Sequence, residues 1–265
     1  MKTIIDFKYR YTGQDMLINS HHIHDDGYEI LFVHSGSGNI VIKDKLIKLI
    51  PGNIYFIDGS QTHCTIPDNP EIYCRSLMVM QKSIIDNICK QLNSESLVDT
   101  MFKNSGSTPV VASKYDSTHA EDIFRHMNAC FTNNDKYIQS VFVTSFISIL
   151  NICIGDISKP PISENCITSD ILNYINAHLT ENILLKDICD NIHISKFYLC
   201  HTFKKNLGMT ISEYILSRRI SEAKRLLSET HMPISQISDN CGFSSVSYFC
   251  MIFKRKTGVS PSKFR

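Results

Sequence analysis

Apolar spacing divides the chain into three kinds of segment. Between about residues 16 and 80, apolar residues come in short runs and alternations, as in "YEILFVH", "NIVIKD", "LIKLIPGN", "IYFID" and "EIYCRSLMVM". Runs of this length, rich in Ile, Val, Tyr and Phe and broken by Gly, Pro and Asn, predict the strands of a sandwich or barrel. After Gln81 the period becomes helical. Ile84, Ile85, Ile88 and Leu92 share one face, as do Ile123, Met127 and Phe131. Two longer helices, over about 117–131 and 136–154, are predicted to follow the strands. From Gly155 to Cys166, around Pro160-Pro161, neither period holds, which predicts a linker. Beyond it every apolar repeat is helical.

The helical part repeats itself. "SKFYLCHTFKKNLGMTISEY" (195–214) returns fifty residues later as "SVSYFCMIFKRKTGVSPSKF" (245–264), matching Ser195 to Ser245, Tyr198 to Tyr248, Cys200 to Cys250, Phe203-Lys204 to Phe253-Lys254, Gly208 to Gly258 and Ser212 to Ser262. Each copy follows a short helix, at about 184–191 and 234–240, so each forms a helix-turn-helix. Ser195 and Ser245 can cap the helices they open. Thr210 and Glu213 make a capping box, Pro261 suits a first helical turn, and Gly208 and Gly258 sit where helices end. Leu199 and Phe203 take the inward face of one second helix, leaving Lys196, Phe197, Cys200, His201 and Lys204 outward. Phe249 and Phe253 do the same in the other, leaving Val246, Ser247, Cys250, Met251 and Lys254 outward. Between the units Thr210–Ser228 lacks Gly and Pro and reads as one rod of roughly 28 Å, close to the ~34 Å turn of B-DNA. Such a rod suits two reading helices in successive major grooves. The basic ends Lys204-Lys205, Arg218-Arg219 and Lys254-Arg255-Lys256 would then meet phosphates. A bundle with solvated lysines would account for one such unit, but not for two with matched caps and a connecting rod.

Composition adds a charge asymmetry. The net charge of +1 conceals 13 Lys and Arg against 8 Asp and Glu in 166–265, and 14 against 18 in 1–165. A surplus of this size permits a polyanionic partner without requiring one. Ten cysteines show no C-x-x-C spacing, and Cys153, Cys189 and Cys250 fall within apolar or helical patterns, so reduced thiols are expected and a redox sensor is disfavoured. The opening "MKTIIDFKYRYTG" has no signal-peptide pattern, and the run from Ile138 to Ile154 is too short and too polar for a membrane span. A cytoplasmic protein without membrane association is expected.

Residues 168–265 resemble the DNA-binding domain of the AraC/XylS family of bacterial transcription regulators. The resemblance is carried by "RLLSETHMPISQISDNCGFSSVSYFCMIFKRKTGVSPSKFR", with Ile234, Ile237, Gly242-Phe243, Tyr248-Phe249, Phe253-Lys254, Gly258 and Pro261 in the family's pattern. It implies base-proximal roles for Phe197, Cys200 and His201, and for Val246, Ser247, Cys250 and Met251. With the capping serines and the basic residues, the expected DNA-contact set is Ser195, Lys196, Phe197, Cys200, His201, Lys204, Lys205, Ser245, Val246, Ser247, Cys250, Met251, Lys254 and Lys256. Where the family often carries Gln, Arg or Trp, only His201 and Ser247 remain here as polar readers. Specificity is therefore expected from thymine-methyl contacts by Met251 and Val246 and from DNA shape, with Cys200 and Cys250 as spacers.

In the amino-terminal half, His22-x-His24-x4-Glu29, a later Pro51-Gly52 and His63 are similar to the metal-binding motif of cupin barrels. They are also similar to the sensor domains of AraC-family members, which commonly bind no metal. The imperfect spacing after Pro51 favours the second reading. The expected architecture is α+β: a cupin-like effector-binding and dimerisation domain over 1–156, a β-barrel with packed helices; a linker over 157–167; and an all-α domain of two helix-turn-helix units over 168–265. Candidate effector contacts are His22, His24, Tyr28, Glu29, His34, Tyr55 and His63. The resemblance implies promoter DNA, RNA polymerase and a small-molecule effector, a sugar being one candidate, as partners of a homodimeric regulator. A dimer interface is expected from Phe142, Phe146 and Leu150. No cofactor and no catalysis are expected; the alternative is a metal-dependent cupin enzyme or metal sensor fused to a DNA-binding domain.

Overall fold

The computed structural model describes residues 3–12, 26–42, 45–61, 63–103, 110–112, 117–158 and 166–265. The chain forms two compact units, one over most of 1–163 and one over 164–265.

The first unit is built on period-two alternation. Strands β1 (Ile4–Tyr11), β2 (Gly27–Ser35), β3 (Gly38–Ile42), β4 (Lys45–Leu49), β5 (Ile54–Asp58), β6 (His63–Pro67), β7 (Cys74–Gln81), β8 (Val110–Ala112) and β9 (Ile157–Ser158) pair into two sheets. One has the order β1-β7-β2-β5-β8-β9, the other β4-β3-β6. Successive side chains of β2 and β5 point to opposite faces of the larger sheet. Tyr28, Ile30, Phe32, Ile54 and Phe56 join the core shared with the helices. Leu31, Val33, Tyr55 and Ile57 instead meet Ile40, Ile42, Ile47 and Leu49 of the smaller sheet. Both faces of β2 and β5 are therefore apolar, which is why these strands read as continuous runs rather than clean alternations.

The expected barrel does not close. Among the described residues strand-to-strand backbone pairing stays within each sheet, and side chains hold the two together. Helices α1 (Lys82–Gln91), α2 (Glu95–Val98), α3 (Ser117–Thr132) and α4 (Ile138–Cys153), with a π-helical turn at Asp99–Lys103, cover the other face of the larger sheet. The short α2 and the π turn, which brings Phe102 within 4.3 Å of the Tyr28 ring, have no periodic signal in the sequence. Strand β1 lies before the segment read as strands, although its Phe7, Tyr9 and Tyr11 alternate with Asp6, Lys8 and Arg10. On α1 the position expected of Leu92 is taken by Cys89, while Leu92 lies past the helix end at 58% exposure.

Phe142, Phe146 and Leu150 are fully buried against this sheet, so the dimer surface expected from them is overturned. An apolar helix face reveals that something covers it, not what. Of the segment expected as linker, residues 159–165 lie outside the described residues; Ile157–Ser158 pairs with β8, and α-helix begins at Cys166. Cys153 and Cys189 are buried and Cys250 is half-buried, all as free thiols.

The second unit is helical throughout: α5 (Cys166–Ala177), α6 (Leu185–Ile192), α7 (Lys196–Leu207), α8 (Ile211–Glu229), α9 (Ile234–Asn240), α10 (Val246–Thr257) and α11 (Pro261–Phe264). Its boundaries lie within a residue or two of those read from the caps. No helix among the described residues is long and apolar enough to cross a membrane.

Candidate nucleic-acid interface

Local hydrogen bonds set the ends of the two candidate reading helices. Ser195 Oγ accepts from the Tyr198 amide and Ser245 Oγ from the Tyr248 amide, each at 3.2 Å. These caps satisfy donors that have no intrahelical partner at a helix start. Both serines counted among the DNA contacts are thus N-caps first. At the other end Gly208 and Gly258, with φ of 67° and 82°, take the left-handed conformation that closes α7 and α10. The α8 rod begins with the expected capping box: Thr210 Oγ1 accepts from the Glu213 amide at 3.2 Å, and Glu213 Oε2 accepts from the Thr210 amide at 2.8 Å. The bonds that the Glu213 carboxylate accepts from the Thr210 amide and hydroxyl lower its pKa below the usual carboxylate value.

Packing then decides which face of each helix is outward. Leu199, Phe203 and Leu207 anchor α7; Phe249, Ile252 and Phe253 anchor α10. In the first unit Phe203 meets Tyr214 of α8 edge-on at 5.5 Å. In the second, Phe253 contacts Phe249 and Phe264 at 5.6 and 5.3 Å. The outward set is as expected. Lys196, Phe197, Cys200, His201, Lys204 and Lys205 are exposed on α7; Val246, Ser247, Met251, Lys254, Arg255 and Lys256 are exposed on α10, and Cys250 is half-buried. Phe197 is 80% exposed, an unusual position for a large apolar ring, and lies nearly parallel to His201 at 6.0 Å.

One expected phosphate contact is overturned. Arg219 donates Nε to the Leu179 carbonyl at 2.9 Å and Nη2 to the Glu181 carbonyl at 2.5 Å, so its fork is engaged within the protein. Burial holds its pKa below the usual guanidinium value. Its neighbour Arg218 is also partly buried, with Nε and Nη1 away from solvent. The basic residues left for phosphates are those at the ends of α7 and α10.

The candidate effector contacts among the described residues do not all gather at one place. His22 and His24 lie outside the described residues. Tyr28 faces the helices and donates to Asp86 Oδ1 at 3.0 Å; burial and that carboxylate push its phenol pKa up. His34 is held between Glu121 Oε2 at 2.7 Å and Ser76 Oγ at 2.6 Å. Burial lowers its pKa despite the neighbouring carboxylate. Glu29 is on the opposite face of β2, 2.9 Å from His63 Nε2, while His63 Nδ1 lies 2.8 Å from the Gln61 carbonyl. Burial disfavours the His63 cation, yet Glu29 opposes it and the net shift is upward. Tyr55 donates to the Lys48 carbonyl and accepts from the Ile50 amide, both at 2.8 Å. Sequence reasoning missed Arg75, a buried guanidinium hydrogen-bonded through Nε to Tyr11 and lying 5.7 Å from the Tyr73 ring centre. A lone arginine in a strand run carries no signal of that role.

Residues 188–265 match the family model described as a helix-turn-helix domain. Over 251 residues the chain is 24% identical to the HTH-type transcriptional activator RhaR of Escherichia coli O139:H28, covering 92% of this chain and 86% of the relative. Its carboxy-terminal residues carry the AraC-type helix-turn-helix domain of transcription regulators. The chain is also 23% identical over 256 residues to an uncharacterized HTH-type transcriptional regulator, YdiP, of Escherichia coli K12, covering 93% of this chain and 81% of the relative. Among solved structures, the C-terminal domain of the two-component response regulator yesN from Fusobacterium nucleatum is 32% identical, covering 36% of this chain and 93% of that one, with a TM-score of 0.35. By its AraC-type domain the chain is a DNA-binding transcription regulator.

Proposed function

We propose that this regulator reads promoter DNA with both helix-turn-helix units at once, and that an effector held by the amino-terminal unit gates that reading. The observation that carries it is the pair of outward-facing helices α7 and α10 joined by the 19-residue α8. At 1.5 Å per residue α8 is about 28 Å long, a length suited to two successive major grooves on one side of the duplex. Phe197, His201, Val246, Ser247 and Met251 face the bases in this reading, with Cys200 and Cys250 between them. Lys196, Lys204, Lys205, Lys254 and Lys256 neutralise phosphates. The domain boundary falls before α5 in this reading, and the protein acts in the cytoplasm as a dimer working with RNA polymerase; that it activates is suggested by the name of the relative, the transcriptional activator RhaR. The effector is a small organic molecule, a sugar being one class, held among the polar groups of the amino-terminal unit.

Footprinting of the full chain on DNA recovered with it from its own cell tests the reading. Protection of two adjacent major grooves on one face, over roughly 15–20 base pairs, is expected. Protection of a single groove would leave one helix-turn-helix without a reading role.

A further inference from the structure

The two helix-turn-helix units have separate cores. The cluster around Phe249 and Phe253 takes in Ile220, Ala223, Leu226 and Leu227 from the carboxy-terminal half of α8, but not Leu199 or Phe203 of the first unit. Tyr214, in the amino-terminal half of α8, packs on Phe203 instead. A helix shared end to end fixes the distance between two units but leaves their twist about its axis to other contacts. One such contact lies between the loop after α5 and the turn between α9 and α10. A Cβ placed on Gly242 would come within 2.8 Å of the Thr180 carbonyl oxygen and 2.9 Å of that of Leu179, so here backbone meets backbone with no room for a side chain. Its φ of 75° independently favours glycine. The same loop is gripped from α8 by the two hydrogen bonds of Arg219 to Leu179 and Glu181. Beside this junction is an open cleft of about 750 Å³, lined by Asn182, Ile215, Leu216, Asp239 and Tyr248 among others. The units are therefore not packed broadly together there.

We infer that Arg219 and Gly242 form a latch that sets the tilt of α7 relative to α10 and so act as positioning residues for two-groove binding. This rests on both helices reading DNA. Two linked readers exceed the affinity of one only when the link presents the second reader where its groove lies. Loosening the latch takes that gain away without touching either reading face.

The test compares full-length wild type with Arg219→Met, Arg219→Lys and Gly242→Ala, on duplexes carrying both half-sites or only one. Each variant should lose about tenfold in affinity for the two-half-site duplex while single-half-site binding stays within about twofold. Lysine should fail like methionine, because a single ammonium cannot reproduce the two-pronged grip of the guanidinium. Pulsed EPR between spin-labelled unnatural residues at Lys186 and Gln236, both exposed and outside the DNA-contact set, should show one narrow distance in wild type and a broadened one in the variants. If Arg219→Met unfolds, as read by circular dichroism, Arg219→Lys and Gly242→Ala carry the comparison. Unchanged two-half-site affinity with unchanged label distance would overturn the latch, as would full rescue by lysine. A wild type that protects only one groove would instead defeat the two-unit reading, whatever the label distances report.

Discussion

The two helix-turn-helix units are one design executed twice, and they differ mainly on the side away from their cores. Both α7 and α10 start at a serine whose hydroxyl accepts from the third helical amide, and both end at a left-handed glycine. Inside, Leu199 and Phe203 of one correspond to Phe249 and Phe253 of the other, all four fully buried. Outside, α7 presents an exposed aromatic ring beside an imidazole, whereas α10 presents Val246 and a Met251 that is 56% exposed. The turns differ too. Unit one turns through His193, left-handed at φ 59° and followed by two residues before α7; unit two uses five residues, 241–245, with Gly242 in the left-handed position. What the units share is what folding requires. What distinguishes them is available to a ligand or, at Gly242, to the neighbouring unit.

The largest expected effect tests whether the units fold separately. Phe203→Ala and Phe253→Ala each remove a fully buried ring and should cost about 3–5 kcal/mol. Hydrogen exchange should show lost amide protection concentrated in the unit that carries the change. Equal loss in both units would mean a single cooperative block and would break the comparison.

A smaller effect separates the reading faces. Phe197→Ala and Met251→Ala should each relax discrimination by about 1–3 kcal/mol at one base position, and the two positions should lie in different grooves. Binding to a series of single-base substitutions measures this. Relaxation at one common position would mean that the two helices do not read separately.

The smallest concerns the turns. An L-residue in the left-handed region is strained by about 1 kcal/mol relative to glycine, so His193→Gly should raise the thermal stability of the first unit by that order. A fall in stability would show that the imidazole makes a compensating contact.

Much of the second unit was legible because its signals are local. A serine capping an amide three residues on, a glycine closing a helix and an apolar face repeating every three or four positions all act within one or two turns of chain. The outward set on α7 and α10 followed from the same periodicity, since a helix with one buried face must show the other. Within the first unit the strands were visible but their partners were not. Glu29 and Tyr28 are neighbours in sequence and sit on opposite faces of β2, so a motif that seems to gather polar groups is split by the sheet it lies on. Phe142, Phe146 and Leu150 are apolar whether they meet another subunit or their own sheet, and Arg219 is basic whether it meets a phosphate or two carbonyls 38 to 40 residues away. The sequence by itself determined where helices start, stop and turn their apolar faces, because those preferences are settled between residues a few bonds apart. Which surfaces cover one another, and so which charges remain for DNA, was decided only when distant segments packed.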